Sequence, residues 1–448
     1  MSSTGINLNT ATSGTGIDVT SVVDNILYAE RAPERLMQQQ VTNLQTQASL
    51  LTSLNSGLST LSDKVNALKD SFGALNSKSA ISSQASILSA TAQSTAASAN
   101  HIVVVSRLAS TGTAYSDAQN SSTATFQTGT ISLTVGGASK DLQVTSDNNT
   151  LDGLAAAINQ QGIGVTASVV TDASGARLAL VSTATGNAGD LTIMGNTSGL
   201  VMHKGASGQN ASLTIDGVPI SSATNTVTGA IAGVTLNLAS AAPQTEVQLN
   251  VGPDQSGASQ AVQDFVTAYN SVISAINAQF AVNPSTHNQG PLASNSSLRA
   301  LQTGILSDVT FKVEDNSSFV NLATLGVKMA DDGTLSIDQT KLNSAITSNY
   351  ADFQSFFQSD SSGFAVHFGA DLQPLTDSTD GLLNVNLAQN TAQQKSLSTQ
   401  IADFEDRIAV RQQQLILQYS RVDTMLRQYP LIMSQLGSQL DSLSSLKT

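Results

Sequence analysis

No cysteine and no tryptophan occur in this chain, and only 11% of its residues carry charge. The missing thiol excludes disulfides, thiolate zinc sites and cysteine nucleophiles. Such a chain can travel unfolded, or work outside the cell without oxidative folding. Charge is far below the roughly 25% of ordinary soluble domains. Hydroxyl and amide groups, rather than salt bridges, must therefore cover its surface, which suits packing against other protein copies. No basic stripe is present to release counterions from nucleic acid. No apolar run is long enough for a transmembrane helix. The stretch "MSSTGINLNTATSGTGIDVT" lacks a basic region followed by an apolar core, so it does not read as a signal peptide.

What charge there is sits unevenly. Residues 1–75 carry four basic and six acidic side chains, and residues 381–448 carry six basic and five acidic. The ends together hold one net negative charge, leaving twelve of the net −13 to the middle. Near-neutral ends can meet with little repulsion, while an acidic middle prefers solvent. A length of 448 residues allows about three domains.

Both ends carry helical stripes. Asp18 or Ser21 can cap a helix bearing Val22, Val23, Ile26 and Leu27, which Pro33 interrupts. Beyond it, Met37, Leu44, Leu51, Leu58, Val65 and Phe72 recur at one heptad position, and Leu54, Leu61, Leu68 and Leu75 at the other. In the tail, Ile401, Ile408, Leu415, Val422, Tyr429, Leu436 and Leu443 share one seam position. Leu397, Phe404, Met425 and Ile432 share the other, where Arg411, Gln418 and Gln439 also fall. Asp403–Arg407 and Asp423–Arg427 have the spacing and order of helical ion pairs. The simplest partner for the C-terminal stripe is the N-terminal one, antiparallel to it. The polar seam residues then set register or leave the far end dependent on neighbouring molecules. An internal bundle core explains the same leucines equally well. Pro430 requires a kink, or a separate element after Tyr429.

Between the stripes the period becomes two. "HIVVVSRLA" (101–109) reads as a strand paired with "ISSQASILSATA" (81–92). A hairpin turns at Gly136–Gly137, and a short helix follows with Thr150 as cap and Gly162 as stop. A second hairpin covers 165–186, and further strands lie at 211–220 and 231–242. Helix returns at 259–280, and Ser297 can cap the next one. A hairpin around Asp332–Gly333 leads into a helix capped by Asp338. The fold class expected is α+β and multidomain, with terminal helices forming an antiparallel coiled-coil or bundle leg and β-rich head domains inserted between them.

Chemistry is scarce. His101, His203, His287 and His367 stand singly, without metalloprotease spacing or adjacent carboxylate pairs. "MADDGTLSID" lacks the spaced acids and terminal glutamate of a calcium loop. The glycine clusters at 14–16 and 195–199 match no nucleotide fingerprint. No catalytic, cofactor or metal residue is assigned.

"GTGIDVTSVVDNILYAERAPERLMQQQ", "TLDGLAAAINQQGIGVTASVVTDASGARLALVSTATG", "LTIDGVPISSATNTVTGAIAGVTLNL", "TLGVKMADDGTLSIDQTKLNSAI" and the tail "IADFEDRIAVRQQQLILQYSRVDTML" occur in that order. In this the chain resembles the flagellar filament capping family, hook-associated protein 2 (FliD). The second motif is shared with flagellins and hook proteins. The resemblance implies a small homo-oligomeric ring at the filament tip that retains exported flagellin and guides its polymerisation without a cofactor. It implies contacts with hook–filament junction proteins and a cytoplasmic export chaperone on residues 401–448. Localisation would be the flagellum tip, reached through the flagellar channel without a cleaved signal peptide. Terminal leg segments are expected at 1–45 and 401–448, and helical leg halves at 46–80 and 255–400. The head domain is expected at 81–112 and 196–254, with a distal one at 113–195. The assembly seam would use Met37, Leu44, Leu51, Leu54, Leu58, Leu61, Val65, Leu68, Ile401, Phe404, Ile408, Leu415, Val422 and Met425. Alternatives are an adhesin binding mucin or glycans through the acidic head, or another axial protein, a flagellin or junction protein.

Overall fold

The computed structural model describes residues 17–285, 287–360 and 362–444. Readings on residues 1–16 and 445–448, including the glycines at 14–16, lie outside them. The chain begins with α1 (Val19–Glu30), α2 (Ala32–Lys69), β1 (Lys78–Ser82), β2 (Leu88–Ala92) and β3 (Ala99–Arg107). It continues through β4 (Thr111–Ser116), β5 (Gly129–Val135), β6 (Ala138–Val144), α3 (Leu151–Gln161), β7 (Val165–Asp172) and β8 (Gly175–Thr185). Next come β9 (Leu191–Met194), β10 (Met202–Lys204), β11 (Ala211–Ile215), β12 (Val218–Ser222), β13 (Thr226–Ile231), β14 (Val234–Leu238) and β15 (Val247–Pro253). Then follow α4 (Gln255–Phe280), α5 (Ser296–Val309), β16 (Val327–Met329), β17 (Leu335–Ile337) and α6 (Gln339–Ser348). The last helices are α7 (Tyr350–Gln358), α8 (Phe364–Thr376) and α9 (Leu382–Ser444). Helices at both ends and sheets between them give the α+β multidomain class.

Two compact units divide the chain. The helical unit takes the described residues of Met1–Asn66, Gln263–Asp338 and Ser359–Thr448. The β-rich unit takes Ala67–Val262 and Gln339–Gln358.

The β-rich unit holds two antiparallel cores. In the first, a five-stranded sheet ordered β1-β15-β3-β11-β12 and a three-stranded sheet β13-β14-β2 bury Val103, Val105, Leu213, Leu236 and Leu249 together. β3 does not pair with β1 or β2, contrary to the expectation for 81–92 and 101–109. It lies between β15 and β11, while β1 pairs with β15 and β2 with β14. The connection after β2 crosses between sheets instead of turning back. At the β11–β12 turn, Asp216 and Gly217 both take positive φ, 51° and 82°, as a tight turn between twisted strands demands.

In the second core, sheets β10-β4-β8-β7 and β6-β5-β9 enclose Leu133, Leu142, Leu178 and Leu180 with Leu151, Leu154 and Ile158 of α3. Thr150 caps α3 by accepting from the Gly153 amide at 3.1 Å, and Gly162 ends it in the left-handed region at φ 59°. Within this unit Gln358 of α7 donates to the Leu68 and Asp70 carbonyls at 3.0 Å. It thereby satisfies acceptors that the end of α2 leaves open.

In the helical unit, Asp18 caps α1 by accepting from the Ser21 amide. Pro33 falls in the first turn of α2, where a missing N–H is no loss. The interruption is therefore confined to Arg31. Asn295, rather than Ser297, caps α5. A core of rings joins α4 to α8, with Phe265 meeting Phe364 and Phe368 edge-on at 5.7 and 5.6 Å. The β16–β17 hairpin turns at Gly333, whose carbonyl accepts from the buried Tyr269 hydroxyl at 3.0 Å. Pro430 does not split the tail, because α9 runs through it to Ser444. Its ring leaves the Leu426 carbonyl without the usual intrahelical donor.

Candidate functional site

α1 and α9 close on each other through four buried side chains, Val23 and Leu27 against Ile408 and Leu415, with Val19, Ile26, Phe404 and Tyr419 around them. Burying each large aliphatic group contributes about 1.5–3 kcal/mol. Polar contacts fix the register. The Ile17 amide donates to Asp423 at 2.8 Å, and Arg411 reaches Glu30 at 3.3 Å. Residue 17 opposite 423 and residue 30 opposite 411 make the pairing antiparallel. The Ile17 amide, with Arg427 second, holds the Asp423 carboxyl below its usual range. Asp423–Arg427 forms at 2.8 Å. Asp403–Arg407 does not: the Arg407 guanidinium lies over the Phe404 ring instead.

The leucines of α2 go elsewhere. Leu51, Leu54, Leu58, Leu61, Val65 and Leu68 are all buried. A Cβ on Gly57 would stand 3.3 Å from Val272 of α4, so Gly57 sets a close approach of these helices. Lys64 meets Asp264 at 2.9 Å. On another side α2 meets the beginning of α9, where Asn55 donates to Asn384 at 2.9 Å and Asn390 to Gln47 at 3.4 Å. The bundle core is thus the environment of 51–65, and the expected pairing of 37–75 with 397–443 is shifted along the tail. The reason is length. α9 starts at Leu382, fifteen residues before the periodic tail, or about 22 Å of helix. Its first turns zip to α2 through amides, which leave no apolar period to read.

Met37, Leu44, Ile401 and Phe404 are half-buried. Phe72 lies beyond the end of α2 and is 86% exposed, while Leu75 is buried in a short helical turn. Val422 and Met425 are exposed, Met425 to 69%, as are Tyr429, Ile432 and Leu436. Among the described residues the seam is closed as far as Leu415 and open beyond it.

Three of the four histidines find carboxylates that are remote in sequence. His101 meets Asp216 at 2.7 Å, and His203 meets Asp117 at 2.8 Å. His367 of α8 lies 3.9 Å from Asp308 of α5 and 3.5 Å from Asp371. Burial, and then the neighbouring Asp371, push the Asp308 carboxyl up to about 7. Sequence spacing missed this cluster because its members come from two helices well separated in the chain, α5 and α8. The His-x-x-x-Asp spacing of 367 and 371 was its sole local sign.

Residues 208–430 match the family described as flagellar hook-associated protein 2 C-terminus, residues 15–112 its N-terminus, and residues 130–184 the flagellin hook IN motif. The B-type flagellar hook-associated protein 2 of Pseudomonas aeruginosa is 34% identical over 74% of this chain and 76% of its own length. The chain belongs to the flagellar hook-associated protein 2 family. The Salmonella typhimurium member is 27% identical over 70% of this chain and 72% of its own. The crystal structure of the D1-D2-D3 domains of the Escherichia coli flagellar cap protein FliD covers 76% of this chain and 99% of its own, at 25% identity and a TM-score of 0.57. The hook motif covers one inner segment, whereas the hook-associated protein 2 descriptions cover both ends. Flagellin, junction-protein and adhesin readings are therefore not favoured. Family membership makes this a structural protein of the flagellar filament cap. Among the described residues no helix is long and apolar enough to cross a membrane.

Proposed function

We infer that this chain caps the filament as a homo-oligomer, with the open part of the α9 seam completed by neighbouring molecules. The observation that carries this reading is the run of exposed apolar side chains from Val422 to Leu440 on one continuous helix. A stripe of that kind marks a surface that another protein covers. Copies of the same chain and flagellin are the partners assigned to it, and they act through packing rather than bond chemistry. The export chaperone is assigned to residues 401–448 before assembly, when the same stripe needs cover. Junction proteins are further neighbours, and the tip of an exported filament is the location.

The test is a Val422→Asp/Met425→Asp double variant. Both side chains are exposed, so the monomer should melt as the parent does. In cells lacking their own cap gene, it should fail to support filaments and should release flagellin into the medium. Full-length filaments seen by electron microscopy, with normal oligomers by mass measurement, would refute the reading.

A further inference from the structure

We propose that Asp308, His367 and Asp371 form a binding site for one divalent transition-metal ion of the zinc class. Their ligating atoms all lie within 4.8 Å of one another, the one such group among the described residues. Two ligands on tetrahedral zinc, at about 2.0–2.1 Å from the ion, stand about 3.4 Å apart. The His367 Nε2 distances of 3.5 Å to Asp371 and 3.9 Å to Asp308 need only a small side-chain rotation to reach this. His367 and Asp371 are one helical turn apart on α8, so both project to the same side.

Asp308 supplies an independent reason. Its side chain is only 8% exposed, and its carboxylate meets the Asp371 carboxyl and the His367 ring. No amide or hydroxyl donates to it among the described residues. A buried carboxylate whose side-chain neighbours are a second carboxyl and an imidazole is costly, and the second carboxyl adds repulsion. It also sits in the last turn of α5, where the helix dipole disfavours an anion and favours a cation. A dication answers all three at once. Phe311 stacks on the His367 ring at 3.9 Å between centroids, which fixes the ring plane. His367 and Asp371 remain 37% and 50% exposed, leaving a path for the ion and room for a water as fourth ligand. The imidazole selects zinc-class ions over magnesium or calcium, which prefer all-oxygen sites. His101 and His203 each meet a single carboxylate, and they serve as internal controls.

The full chain, stripped with EDTA and dialysed against zinc sulfate at neutral pH, should retain one Zn²⁺ per chain by elemental analysis. His367→Gln and Asp371→Asn should each weaken binding more than about tenfold. Both positions are half-exposed, so circular dichroism should remain that of the parent. The His101→Gln/His203→Gln variant should keep the ion. The proposal is overturned by a parent chain that retains no stoichiometric Zn²⁺. It is equally overturned by retention in a folded His367→Gln/Asp371→Asn variant, or by Mg²⁺ displacing the ion.

Discussion

From Leu51 to Leu68 every seam side chain of α2 is buried, whereas from Val422 to Leu436 every apolar seam side chain of α9 faces solvent. The two stripes have the same period and similar residues. They differ in what surrounds them. α2 has α4 on one side, close enough at Gly57 for helix-to-helix contact, and the first turns of α9 on another. Among the described residues the far part of α9 has α1 alone, whose buried contacts end with Leu415. A heptad therefore reports that a helix has an apolar face, and says nothing of whether the same chain covers it.

Substitutions along the two stripes sharpen this contrast. Leu58→Ala should cost about 2–5 kcal/mol in urea unfolding; a loss under about 1 kcal/mol would mean the bundle core is looser than its burial indicates. Asp308→Asn probes the helical unit by charge. The carboxyl sits near 7 when folded, above its usual 3.8. Below the lower value both folded and unfolded chains hold the proton. As pH rises through the higher one, the fold loses up to about 4 kcal/mol. In EDTA the variant should thus melt higher than the parent at mildly alkaline pH and alike near about pH 4. Equal melting at both would contradict a raised carboxyl.

Smaller effects belong to the α1 end. Asp18→Ala removes the cap of α1 and should cost about 1 kcal/mol, read in the melting of the helical unit. Exposed Arg411 and Glu30 should couple by about 0.2–1 kcal/mol in a double-mutant cycle. Met425→Ala should change stability by less than about 0.5 kcal/mol. A larger loss there would place Met425 in a covered seam and erase the difference between the stripes.

Much of the local structure was legible. Asp18 and Thr150 announced helix starts, Gly162 a stop, and the Gly136–Gly137 and Asp332–Gly333 turns their hairpins, because each rests on backbone geometry a few residues long. Strand partners were less so: β3 bonds to β11 and β15, more than 100 positions away in the chain. The amide-bonded start of α9 was hidden too, since Asn384 and Asn390 interrupt any apolar period. The seam in the tail was visible as a pattern, and its polar positions already offered a far end left to neighbouring molecules as one outcome; the point at which burial stops, after Leu415, was not. The Asp308–His367–Asp371 cluster left almost no trace.

The order of residues alone determined most of the helical and strand segments, the caps at Asp18 and Thr150, and which family the chain belongs to. Those properties follow from neighbours within a few positions and from motif order. The fold decided which stripe would be closed, which strands would meet and which carboxylates would crowd a histidine. Each of these depends on long-range packing, where burial and repulsion between distant side chains are set together.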